Sequence, residues 1–118
     1  MGESIRTAER IRDLNERTSD AICVTVNDRI AFANSSTLRL FGMQTAEECL
    51  SHSLLGLFDP DIQPILKAGI RRLLEKRSES LLVDNSKIVR RDHTLVNVSL
   101  HAVRLEWDGA PAIKVSFR

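Results

Sequence analysis

Apolar positions along the chain switch between two periods, and each switch marks the edge of an element. Ile22, Val24 and Val26 alternate with Cys23 and Thr25, the period of a strand with one buried face. Asn27-Asp28-Arg29 is a polar turn, after which Ile30 and Phe32 resume the alternation against Ala31 and Ala33. The pattern predicts an antiparallel hairpin. Past Ala33 the spacing lengthens, with Leu38 and Phe41 at i, i+3 and Leu40 beside them. Asn34 stands where its side-chain oxygen can accept from the first free N–H groups of a helix, and Gly42 follows the last apolar residue, where a left-handed residue ends a helix without a Cβ clash.

Further on, Thr45 with Glu48 at the third helical position makes a capping box over a short helix. Leu54, Leu55, Leu57 and Phe58 fit another single turn. Asp59-Pro60-Asp61 stops the chain, Asp61 is placed to cap the next helix, and Pro64 falls in its tolerant first turn. Leu66, Ile70, Leu73 and Leu74 form the clearest helical stripe, and Arg71, Arg72, Lys76 and Arg77 give its C-terminal end a solvated basic face. From Leu81 the period returns to two. Residues 81–90 predict an irregular strand with a bulge near Asp84-Asn85-Ser86, and residues 91–94 a turn. Residues 95–106 set Val96, Val98, Leu100 and Ala102 against Asn97, Ser99 and His101. Asp108-Gly109 signals a type I′ hairpin, and residues 112–118 close the sheet with Ile113, Val115 and Phe117 on one face. Ahead of all these, residues 4–17 read as a surface helix whose Ile5, Ala8, Ile11 and Leu14 wind around it. That leader helix is either solvated or dimerising.

The chain has 118 residues, 42% hydrophobic and 28% charged, which suits one domain with one core. Seventeen basic and 16 acidic residues are mixed along it for a formal charge of +1, so nothing in the charge favours nucleic acid or an anionic membrane. Cys23 and Cys49 are too few and too far apart for a disulfide framework or a metal knuckle, and they are expected as reduced, buried thiols. No apolar run approaches a membrane span, and the N-terminus is not built like a signal peptide, so a cytoplasmic location is expected.

Taken in order, Asp20-Ala21-Ile22, residues 30–34, Leu40-Phe41-Gly42, Glu47-Glu48-Cys49-Leu50, Leu57-Phe58-Asp59-Pro60-Asp61, Arg90-Arg91-Asp92 and Trp107-Asp108-Gly109 carry a resemblance to the PAS domain, a sensory and protein-interaction module. The match covers residues 19–118. It departs from the usual pattern at Arg29, Ser51 and His93, turn positions where glycine is common. The resemblance implies an α+β fold, a PAS-like five-stranded antiparallel sheet with helices packed on one face, preceded by a flanking helix over residues 1–18. It also implies a module of a larger signal-transduction protein such as a histidine kinase or diguanylate cyclase, signalling through homodimer packing to an output domain.

Assigning the apolar parity of each strand inward places Ile22, Val24, Val26, Ile30 and Phe32 inside, together with alternate residues of the later strands. The candidate cavity lining is Phe32, Leu38, Phe41, Phe58, Ile70, Leu73, Val98 and Val115. Such a lining suits a filled core, or a small apolar ligand in second place. No cofactor is identified. Haem-binding relatives use a histidine on the long helix, and residues 64–77 hold none; covalent flavin relatives use cysteine in a different run from Glu47-Glu48-Cys49-Leu50, so both are disfavoured. His52, His93 and His101 are scattered, as surface residues would be. The opposite sheet face is expected to be covered at Val103 and Leu105 by the N-terminal helix of this subunit or a partner. The competing class is a small α+β cavity enzyme of isomerase or dehydratase type, which needs an acid or base in the pocket; a buried Asp92 or His101 would mark it.

Overall fold

The structure, a computed structural model, describes residues 20–118. The helix expected over residues 4–17, and with it the boundary at residue 18, lies outside the described residues. Five antiparallel strands form one sheet in the order β2-β1-β5-β4-β3: β1 Ala21–Val26, β2 Arg29–Ala33, β3 Leu81–Val89, β4 Leu95–Trp107 and β5 Ala110–Phe117. Between β2 and β3 run α1 Ser35–Phe41, α2 Ala46–Cys49, a 3₁₀ turn Leu55–Leu57 and α3 Gln63–Leu74. The first and last strands of the described chain are therefore neighbours, with Ala21 opposite Phe117 and Thr25 opposite Ile113.

Turn chemistry shapes the joints. Asn27 and Asp28 both take positive φ, as do Asp108 and Gly109, which gives each hairpin the backbone twist that matches its strands. Ser51 and His93, where glycine is common in similar domains, also sit at positive φ (71° and 68°), so these loops keep the left-handed geometry without the glycine. Thr45 accepts from the Glu48 N–H, one half of the capping box, while the Glu48 carboxylate turns to Arg91. Asp61 does not cap α3. The N-cap residue is Ile62, without a side-chain bond, and Asp59 instead accepts from the Asp61 N–H. Asp59 and Asp61 form a local turn before Pro64 enters the first turn of α3.

The helices pack on one face of the sheet, around Cys23, Ile30, Phe41, Cys49, Phe58, Leu66, Leu73, Ile88, Val98, Val115 and Phe117. A second, smaller cluster occupies the other face: Val24, Trp107 and Ala112, with Val26, Ala31, Phe32 and Leu105 packed against it. The parity expected for β1 is therefore reversed. Ala21 and Cys23 point to the helices, and Val24 and Val26 point away from them. The cause is the central position of β1 between β2 and β5: its first five residues are all buried, so the more apolar parity does not identify the inner face. Phe32 is misplaced for a different reason. Thr25 pairs with Ile30 but Val24 pairs with Phe32, so Ala31 is an extra residue in the ladder. This bulge breaks the alternation, leaving Ile30 inward and turning Phe32 outward onto Trp107, ring centroids 5.8 Å apart.

Candidate functional site

The inner face is built where α1 lies over β1 and α3 over β5, β4 and β3. Leu38, Phe41, Phe58, Ile70, Leu73, Val98 and Val115 all belong to this interior, with Leu38 and Ile70 half-buried at its margin; Phe32 does not. Phe117 ties the aromatic part together, edge-on to Phe41 at 5.6 Å and stacked with Phe58 at 6.3 Å. Phe41, Phe58, Leu66, Leu73 and Val115 are at most 2% exposed, so neighbouring side chains enclose them almost completely. The interior is a packed core at these positions.

Its few polar groups are specific. Asn34 is 1% exposed and its Oδ1 accepts from the Ile22 N–H at 3.0 Å and the Thr37 N–H at 3.0 Å, with the Thr37 hydroxyl 2.7 Å away. Its Nδ2 donates to the Asp20 carbonyl at 2.7 Å. One amide thus caps α1 and also ties it to the start of β1, a second role that the capping argument alone does not disclose. The Thr37 hydroxyl lies 2.8 Å from the Ile22 carbonyl as well, and its single proton serves one acceptor at a time. Ser86 is fully buried opposite Val98, and its hydroxyl has no hydrogen-bond partner among the described residues. It was missed because it sits in the β3 bulge, where Val83 and Ser86 fall out of register and Asn85 takes a φ of 57°.

At the side of this core a groove of about 500 Å³ opens between α3 and the ends of β1 and β5. Thr25, Val26, Leu55, Ile70, Leu74, Ala112 and Ile113 form its walls, and Asp28, Lys67, Arg71 and Glu75 its rim. Asp28 is structurally committed, since its carboxylate accepts from the Leu55 N–H at 3.0 Å and from the Ser53 hydroxyl. Glu48 of α2 pairs with Arg91 in the β3–β4 turn. Asp92 and His101 are both exposed, so neither is the enclosed acid or base that a cavity enzyme needs. The Thr94 hydroxyl and N–H hold the Asp92 carboxyl below its usual range. Among the described residues no group of three His, Cys, Asp or Glu side chains is arranged to hold a metal ion, and no helix is long and apolar enough to cross a membrane.

Residues 9–116 match the family described as the PAS fold. The chain belongs to the PAS family. A PAS domain from Desulfitobacterium hafniense is similar at 18% identity and a TM-score of 0.74, covering 90% of this chain and 97% of that one. The PAS domain of an HTR-like protein from Haloarcula marismortui is 22% identical with a TM-score of 0.70, covering 97% and 92% respectively. A PAS domain from a two-component sensor histidine kinase gives 17% identity and a TM-score of 0.72 over 98% of this chain and 97% of its own. No curated protein matches by sequence. The five-stranded antiparallel sheet with helices on one face is the PAS architecture, and PAS domains are sensory signalling modules, in general without catalysis of their own.

Proposed function

We propose that this PAS domain is a non-catalytic sensory and protein-interaction module of a larger signal-transduction protein, of the histidine kinase or diguanylate cyclase kind, and that it relays its signal through the packing of a cytoplasmic homodimer. The observation that carries the reading is the family match over residues 9–116. The chemistry of the interior supports it. The core facing the helices is apolar, and the buried polar side chains among the described residues, Thr25, Asn34, Thr37 and Ser86, include no carboxylate or imidazole with which to run acid–base catalysis. The PAS domain of the sensor histidine kinase is a structural neighbour in keeping with this role. A ligand, where one takes part, is small and apolar and reaches the core along the groove beside Ile70 and Leu74, the margin of the interior that is not closed.

Dimer packing is assigned to residues 4–17 with the Val103 and Leu105 end of the outer sheet face. Light scattering on the full chain and on a chain lacking residues 1–17 tests it. A drop from dimer to monomer mass on deletion is the expected result, and an unchanged mass counts against the dimer role of this segment. A native mass spectrum of the purified full chain bears on the ligand: a mass equal to the polypeptide alone favours the interaction role, and an added small apolar mass favours sensing.

A further inference from the structure

We propose that Arg39, Arg90 and Arg118 form a binding site for a small organic anion, a carboxylate carrying a short apolar body. The three residues come from α1, the end of β3 and the end of β5, and they line one pocket of about 470 Å³ where β1 begins and β5 ends. Its floor is apolar: Ala21, Leu40, Val98 and Phe117.

Each arginine is held by its surroundings. The Arg90 Nε donates to the Leu40 carbonyl at 3.0 Å, which caps the C-terminal end of α1 and fixes the guanidinium at the wall of the pocket. The stem of Arg90 passes over Gly42, and a Cβ there would lie only 3.7 Å from it. Arg39 donates to the Ser36 hydroxyl at 3.1 Å. The backbone of Arg118 exchanges both hydrogen bonds with Ser99, at 2.8 and 2.9 Å, so its side chain leaves from a fixed point of the ladder. Among the described side chains that line the pocket, Asp20 is the one carboxylate against three guanidiniums. Among the described residues no carboxylate lies at ion-pair distance from Arg39, Arg90 or Arg118, although Arg90 is near enough to Asp92 to help lower its carboxyl. An incoming carboxylate matches the planar donor fork of arginine and meets charge of opposite sign beside apolar surface. The floor then selects among anions. A few methylenes on the carboxylate contact the apolar lining, chiefly the half-buried Leu40, which an inorganic anion cannot do.

The site lies apart from the groove beside α3, and its test does not depend on oligomeric state. The full chain, isotopically labelled, is titrated with hexanoate, acetate and inorganic phosphate at constant ionic strength set by sodium chloride, following the arginine Nε–H signals and the Leu40 and Phe117 amides. Saturable shifts at these positions, tighter for hexanoate than for acetate or phosphate, are expected. Arg39→Gln and Arg118→Gln, both exposed and so without a packing role, should each weaken hexanoate by about tenfold. Lys67→Gln in the other groove should leave it unchanged. Non-saturating shifts, shifts centred on Ile70 and Leu74, equal affinity for hexanoate and phosphate, or affinity that survives both arginine substitutions would each overturn the proposal.

Discussion

Asn34 concentrates more structural work in one side chain than any other polar residue of the interior. Its amide satisfies the N–H of Ile22 and of Thr37, and it reaches the carbonyl of Asp20. Replacing it by alanine removes a helix cap and leaves the buried Ile22 N–H unpaired, a combined loss of about 2–4 kcal/mol. Urea unfolding followed by far-UV circular dichroism measures this, and a loss below about 1 kcal/mol would reduce Asn34 to an ordinary cap. Asn34→Asp separates the two functions. The carboxylate keeps an acceptor for the Ile22 and Thr37 N–H groups but loses the donor to the Asp20 carbonyl, so a loss smaller than that of Asn34→Ala is expected, and what remains reports the Asp20 contact and the burial of a charge.

Among the elements, α3 and β3 approach closely at Gly69. Gly69 is buried on α3, and a Cβ built there lies 2.7 Å and 2.8 Å from the two Leu81 methyl carbons of β3. Helix propensity favours alanine over glycine by about 1 kcal/mol. The contact opposes that gain until the Leu81 side chain moves. In a double-mutant cycle, Gly69→Ala should therefore stabilise the Leu81→Ala background by about 1 kcal/mol and fall well short of that in the parent, and additive effects would remove the contact from the account. Element order, both two-residue hairpins, the β3 bulge and the cap at Asn34 were legible because each depends on local period or turn chemistry. The inner face of β1 was not, since a central strand buried on both sides offers no contrast between Val24 and Cys23. Phe32 was hidden by one extra residue, Ala31, because a bulge leaves no mark in a stretch where every residue is apolar. The grouping of Arg39, Arg90 and Arg118 was equally invisible, as three separate elements bring them together only in the folded sheet.

For the molecule as a whole, the two thiols tie alkaline stability to the integrity of the core. Cys23 and Cys49 are free and fully buried in the helix-side cluster. Burial pushes the Cys49 thiol up to about 11, and burial together with the neighbouring Cys49 pushes Cys23 higher still. A folded value above the unfolded value of 9.0 means that the protonated thiols add full stability below pH 9, and that this contribution is lost as the pH rises through the folded values. The urea midpoint should fall from pH 9 to pH 11, and Cys23→Ala should flatten the fall relative to its own pH 8 midpoint. The chain has no tyrosine to confuse the titration. An equally steep fall in Cys23→Ala would remove Cys23 from the account.

The central pairing of β1 with β5, Ala21 against Phe117, also determines how the sheet bears load. In an antiparallel pair the hydrogen bonds run across the strands, and here both outer ends of the ladder open on the same side. Tension applied between residues 21 and 117 therefore meets one rung at a time instead of shearing the whole row together. Under force the sheet parts down its middle, with β2 and β1 leaving as one strip and β5, β4 and β3 as the other. Its mechanical weak line is the seam between its two most enclosed strands.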